Sequence, residues 1–180
     1  MYDAVLERPL NQLDVIRANR PKRLPVVLTR EEVKAILGQL DVVTLLIARL
    51  LYGSGVRILE CLRLRVHDLD FSRSEVFVRG GKGDKDRRTM LPLAAQARLR
   101  THLAEVKALH TADLAAGHGR VMMPEALGEK LQGADRNWGW QWVFPSGNLP
   151  EGPETGIVGR HHLNESAVGR AISESIRQQC

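Results

Sequence analysis

The sequence predicts an α+β protein, mainly α, in which a small three-stranded antiparallel sheet packs on helices. Hydrophobic residues make up 43% of the 180 residues and aromatics only 4%, the balance of a Leu/Val/Ala-rich helical protein rather than a β-sandwich or barrel. Apolar side chains recur with helical period along most of the chain. Three short apolar groups, Val66 with Leu69 and Phe71, Val76 with Val78, and Met90 with Leu91, are joined by polar turns and read as strands. A chain of this length buries a sizeable core and reads as one domain with an added element at either end.

Taken in order, Met1 to Ala18 carries scattered apolar residues interrupted by Pro9, which suggests the tail of an upstream domain over residues 1–19. Residues 20–28 follow as a basic linker, because Pro21 and Pro25 bracket Lys22 and Arg23 in a composition suited to lying along an anionic surface. Thr29 and Glu32 have capping-box spacing ahead of Val33, Ile36, Leu37 and Leu40, so a helix starts here. Val42 to Tyr52 is apolar nearly all round, the pattern of a buried helix, and Gly53 and Gly55 are expected to end it. A second helix over Val56 to Leu62 turns Ile58, Leu59 and Leu62 inward and places Arg57 and Glu60 on one face. Beyond the strands, helical period resumes from Leu93 to Leu109, and a Gly-, Pro- and Trp-rich loop is expected from about residue 110 to 159. The final element, Asn164 to Gln178, is amphipathic with Val168, Ile172 and Ile176 as its stripe. That stripe stops at Gln178-Gln179-Cys180 without a cap or a solvated tail, which predicts a chain cut within a longer domain.

Charge and cysteine usage narrow the function. Lys and Arg exceed Asp and Glu by 26 to 21, and the excess clusters at Arg20 to Arg23, Arg79 to Arg88 and Arg160 to His162, which suits a polyanionic partner. Cys61 and Cys180 form neither a disulfide framework nor a zinc spacing, so a reducing cytoplasm is the default location. No apolar run reaches transmembrane length, and no membrane partner is expected.

Two segments carry the chemistry. Arg57 and Glu60 follow directly on Gly53-Ser54-Gly55; an exposed ion pair is their plain reading, but a guanidinium at the start of a helix can also fork two oxygens of one phosphate while a carboxylate steadies it. The Gly80 to Arg88 turn is either a solvated hairpin or a basic loop that enters a groove, with Lys82 as a mobile acid able to protonate a leaving 5′ oxygen and Lys85, Arg87 and Arg88 as phosphate contacts. Trp138, Trp140 and Trp142 would by themselves anchor a loop on a small core, and His161-His162 would be a surface pair, since no further metal ligand stands at a suitable spacing. No helix offers several exposed Arg, Asn or Gln on one face, which argues against a transcription factor reading duplex through a recognition helix.

These motifs together resemble a known family. Thr29 to Val33, Gly53 to Glu60, Leu64-Arg65-Val66 with Asp68 to Phe71, and Gly81 to Arg87 with Leu91-Pro92 resemble the catalytic domain of tyrosine recombinases. Arg20 to Thr29, Trp138 to Ser146 and Arg160 to Glu165 are similar to integron integrases in particular. The resemblance implies the N-terminal part of a recombinase catalytic domain over residues 29–180, with an integron-type added segment at about 110–163. It implies that Arg57 is the first catalytic arginine, Glu60 the acidic residue supporting it and Lys82 the hairpin lysine. It also implies a metal-free and cofactor-free transfer through a 3′ phosphotyrosine, with DNA and further protomers as partners. The family's His-x-x-Arg box and tyrosine nucleophile are not found, since Tyr2 and Tyr52 stand in the wrong contexts. This predicts DNA binding through Lys22, Arg23, Lys85, Arg87, Arg88 and Arg160, and reception of unpaired bases by Trp140, Pro153, His161 and His162, without strand cleavage by these 180 residues. The alternative is a non-catalytic DNA-binding module or a decayed integrase.

Overall fold

The computed structural model of the chain describes residues 27–81, 85–123, 133–150 and 158–178. Helix α1 (Arg30–Gly38) starts at the capping box: the Thr29 hydroxyl accepts from the Glu32 amide at 3.2 Å, and the Glu32 carboxylate accepts from the Thr29 amide at 2.7 Å. Helix α2 (Val42–Ser54) is capped by Asp41, which accepts from the amides of Val43 and Thr44, and it drives Leu46, Ile47 and Leu50 into the core. It ends at Gly55 with φ of 64°, a conformation in which a side chain is strained. Gly53, expected as part of the stop, lies inside the last turn instead. A Cβ there would stand 2.4 Å from Pro92 Cγ, so glycine serves the close approach of α2 to the chain leaving the sheet.

Helix α3 (Ile58–Leu62) is a single short piece with Arg57 as its N-cap, and Val56 precedes it. It buries Cys61 and Leu62; Leu59 faces outward at 36% exposure, contrary to the inward orientation expected for it. The sheet has the anticipated three antiparallel strands, β1 (Leu69–Asp70), β2 (Glu75–Val78) and β3 (Arg87–Met90), in the order β1-β2-β3. Leu69 pairs with Val76, and Val78 with Arg87. Val66 and Phe71 fall outside the strands because side chains take the backbone away from the ladder. Asp68 accepts from the Arg65 amide at 2.9 Å and closes a 3₁₀ turn over Val66–Asp68, while Asp70 accepts from the amides of Ser72 and Arg73.

Helix α4 (Leu93–Ala115) runs past the expected end at Leu109. Its core face is Ala95, Leu99, His102, Val106, His110 and Asp113, at helical spacing throughout, but three of these six are polar and hide the stripe. Each polar member has a partner: His102 donates to the Val143 carbonyl at 2.8 Å, His110 to the Arg136 carbonyl at 3.1 Å, and Asp113 pairs with Arg160.

The stretch expected as one long loop is therefore only partly irregular. It holds the end of α4 and two 3₁₀ turns, Ala134–Arg136 and Trp138–Trp140. Residues 141–146 then pass between two neighbours, with isolated bridges at Trp142 and Pro145. Val66 donates to the Gln141 carbonyl and Val143 to that of Leu64 on one side; Leu163 donates to the Phe144 carbonyl and Ser146 to that of His161 on the other. Helix α5 (Glu165–Arg177) is capped by Asn164, buries Val168 with Ile172 packed against the core, and is pinned to α1 where Ser175 donates to the Ile36 carbonyl at 2.9 Å. Among the described residues, no helix is long and apolar enough to cross a membrane.

Candidate functional site

The Gly55 turn delivers Arg57 in extended conformation at the head of α3, and Glu60 follows at the third helical position. Glu60 accepts the Arg57 amide at 2.8 Å and Arg57 Nη1 at 2.9 Å, closing the first turn. The same carboxylate is forked from β3 by Arg87, whose Nη1 and Nη2 donate to Oε1 and Oε2 at 2.9 and 2.7 Å. Four donors thus saturate the carboxylate's two oxygens. The Arg87 fork is the main cause that holds the Glu60 carboxyl down to about 2; partial burial opposes it and the Arg57 contacts add to it. The same pairing raises the Arg87 guanidinium above its ordinary value.

The turn between β2 and β3 is closed by the Gly81 amide donating to the Lys85 carbonyl at 3.1 Å and by the Gly80 amide donating to Asp86 at 3.0 Å. A Cβ on Gly81 would lie 2.9 Å from Arg87 Nη1, 3.0 Å from the Lys85 carbonyl oxygen and 3.4 Å from Glu60 Oε1, so a side chain there would crowd both the turn and the ion cluster. Gly55, Arg57, Lys85 and Arg87 line an open cleft. Glu60 is 9% exposed by side chain and Arg57 58%, so the carboxylate is hidden while positive charge faces solvent. A guanidinium with a free edge in such a cleft has the shape to fork two oxygens of one anion. Arg88 points from the other face of β3, 3.6 Å from Glu75.

A second constellation lies along residues 138–162. Arg65, buried, is stacked 3.2 Å above the Trp142 ring and donates to the carbonyls of Trp140 and Met122 at 2.8 and 2.7 Å. Burial, the leading cause, lowers its guanidinium to about 10, partly offset by Asp68. Trp142 meets His161 and His162 on its other sides, with ring centroids 5.7 and 5.2 Å apart. His161 is exposed; His162 is half-buried, and burial pushes its imidazole below the ordinary value, favouring the neutral ring. Trp140 remains partly open, packed on His67 at 4.2 Å with the Arg79 guanidinium 5.6 Å from its ring. Arg79 in turn is held by Asp68 at 2.8 Å.

The structure therefore brings together Arg57, Glu60, Lys85 and Arg87 in one cleft, and Trp140, His161 and His162 along one ridge organised by Arg65 and Trp142. Arg160 is placed differently from a free phosphate contact: its Nε and Nη2 fork Asp113 and its Nη1 donates to the carbonyls of Ser146 and Gly147. Lys22, Arg23, Lys82 and Pro153 lie outside the described residues. The sequence reading did not single out Arg65, His67, Arg79 or Asp113 as site-forming. One signal was legible: Arg65 and Asp68 stand at the same spacing as Arg57 and Glu60, and both pairs close a first turn.

The comparison with known proteins specifies the class. Residues 26–178 match the model of the phage integrase family, and the chain belongs to this family of tyrosine recombinases. An integrase/recombinase of Escherichia coli and another of Pseudomonas aeruginosa are each 43% identical over 178 residues, covering 98% of this chain and 53% of the relative. The chain thus spans about half the length of these relatives. The tyrosine recombinase XerA of Thermococcus onnurineus is 49% identical over 75 residues, 40% of this chain and 27% of that protein. In fold, a crystal structure of XerA recombinase resembles it with a TM-score of 0.55 at 22% identity, covering 88% of this chain and 44% of that one.

Proposed function

We propose that this chain is the phosphate-gripping part of a site-specific recombinase of the integron integrase branch, binding DNA without cleaving it by itself. The observation that carries the reading is the cleft in which Glu60 anchors Arg57 beside the basic hairpin, in a chain of the phage integrase family. Arg57 contacts the scissile phosphate, Glu60 holds Arg57, and Lys82 protonates the departing 5′ oxygen. Lys22, Arg23, Lys85 and Arg88 supply backbone contacts, and Arg87 and Arg160 add positive charge to the same faces while their forks hold carboxylates. No metal or nucleotide is required by this chemistry, and further protomers join the complete assembly.

The loss of cleavage rests on where the tyrosines stand. Tyr52 is 68% exposed and lines a separate groove between α1 and α2 with Arg30, Lys34 and Arg49, not the cleft that holds Arg57. Tyr2 lies outside the described residues. The integron branch is favoured by the ridge: Trp140 offers a partly open ring, and His161 and His162 extend the aromatic surface past Trp142, a form suited to stacking unpaired bases of a folded single strand. Pro153 belongs to the same proposed surface.

The test compares a labelled duplex with a folded single-stranded recombination site. The chain should bind both in a salt-dependent manner, and Trp140→Ala or His162→Ala should weaken the folded strand by about 1 kcal/mol or more, as expected for a lost base-stacking contact, and leave the duplex nearly unchanged. Equal loss on both would remove the integron assignment. A nicked suicide substrate should give no covalent adduct with these 180 residues; an adduct would overturn the non-cleaving reading.

A further inference from the structure

We propose that Arg87 is a positioning residue for Arg57, acting through Glu60 rather than contacting DNA. The inference rests on the reading of Arg57 as the phosphate-gripping group and assigns Arg87 to that same site.

Arg57 approaches Glu60 from within the same turn and touches Oε1 through one nitrogen of its fork, Nη1 at 2.9 Å. That bond and the Arg57 amide's bond to Oε2 at 2.8 Å hold the carboxylate only from within its own turn, and the last torsion of a glutamate is broad and soft. Arg87 fixes it. Its two terminal nitrogens take both oxygens in a parallel fork, and it does so from β3, so the orientation of a side chain on α3 is set by the sheet. Oε1 is shared by Arg57 Nη1 and Arg87 Nη1, which leaves Arg57 one nitrogen engaged and the outer edge of its guanidinium facing the cleft. The neighbouring backbone is cut to fit: Gly81 has no Cβ where Arg87 Nη1 would meet one at 2.9 Å.

With Arg87 absent, Glu60 keeps its bond to the Arg57 amide, so α3 still starts in the same place. What goes is the bidentate clamp from β3 on the carboxylate plane, and with it the close aim of Arg57. The role is therefore separable from folding. It also separates Arg87 from a simple phosphate contact, whose loss would be felt whatever Arg57 does.

The experiment has a spectroscopic arm and a binding arm on the 180-residue chain. In Arg87→Gln, the Glu60 carboxyl followed by ¹³C NMR should titrate about one pH unit or more above its value near 2, and the Arg57 Nη resonances, held apart by the Glu60 bond, should merge. In binding to a duplex of 25 base pairs or so, Arg57→Gln should lower affinity about tenfold or more in the parent, the loss of a charge-assisted phosphate bond, but less than about threefold when Arg87→Gln is already present. Arg87→Lys retains the charge without the fork and should fall between the parent and Arg87→Gln in both arms; it also serves as the readable variant should Arg87→Gln not fold. Additive losses in the cycle, or a Glu60 titration and Arg57 spectrum unmoved by either substitution, would overturn the proposal. The spectra need no DNA. A parent chain that binds no duplex would thus sink the recombinase reading, and the spectra alone would then decide the part played by Arg87.

Discussion

Replacing Glu60 by glutamine tests the ion cluster with a change of one atom. The amide still offers one acceptor, but its NH2 group opposes a guanidinium donor from Arg57 or Arg87, so the fourfold set of bonds cannot be kept. The carboxyl titrates near 2 against an ordinary value of 4.5. At 1.36 kcal/mol per pH unit that difference is worth about 3 kcal/mol at most. Solvent reaches Arg57 at 58% and Arg87 at 36% side-chain exposure and screens the pair, which brings the expected contribution to about 1–2 kcal/mol. Because the folded-state value is depressed, this stability is fully present above about 4.5 and is lost as pH falls through about 2. Urea unfolding of the parent and Glu60→Gln, measured from pH 7 down to pH 2, should therefore give a gap of about 1–2 kcal/mol at pH 7 that narrows between pH 4.5 and 2. A gap that is the same at every pH, or absent at pH 7, would refute the claim that the charge on Glu60 organises the cluster.

Four further outcomes follow from the packing. Gly53→Ala should destabilise the fold by about 1–3 kcal/mol in thermal unfolding, because the added methyl meets the stiff Pro92 ring at 2.4 Å. Arg65→Lys should cost about 2 kcal/mol, since a lysine loses both the stacking on Trp142 and one of two carbonyl bonds, and the loss should appear as quenching or a shift of tryptophan fluorescence. Arg160→Ala should cost about 3 kcal/mol by leaving Asp113, 10% exposed, as a charge without its partner; replacing both residues by leucine should restore part of that stability. Asn164→Ala should cost about 1 kcal/mol through the lost cap of α5, seen as a lower urea midpoint with an unchanged slope.

The elements legible in the sequence are those whose signals are local and apolar. The Thr29 box, the nearly all-apolar α2 and the Val76 and Val78 alternation of β2 each depend on residues within one element, and each element is found, α2 running one residue past Gly53. The elements that were missed depend on partners far along the chain. Helix α4 was shortened in the reading because His110 and Asp113 look like surface residues until Arg136 and Arg160 are folded against them. Val66 looked like strand because the bond from the Arg65 amide to Asp68 is invisible to an alternation count.

The same physics explains why a tally of basic residues described the candidate site only coarsely. In the sequence, Arg57, Arg87 and Arg160 are three equal positive charges. In the structure they differ by what occupies their forks. Arg160 spends every terminal nitrogen on Asp113 and two carbonyls, Arg87 spends both on Glu60, and Arg57 spends one and turns the remainder toward the cleft. A guanidinium already forked by a carboxylate offers a phosphate little more than its distant field, whereas one with a free edge can form two short charge-assisted bonds. Arg57 is then the least satisfied of the three, while Arg87 and Arg160 spend their forks within the protein. The spacing of Arg57 and Glu60 was enough to put that pair on one turn, but the partners of Arg87 and Arg160 require knowing that residues 27 and 47 positions apart meet.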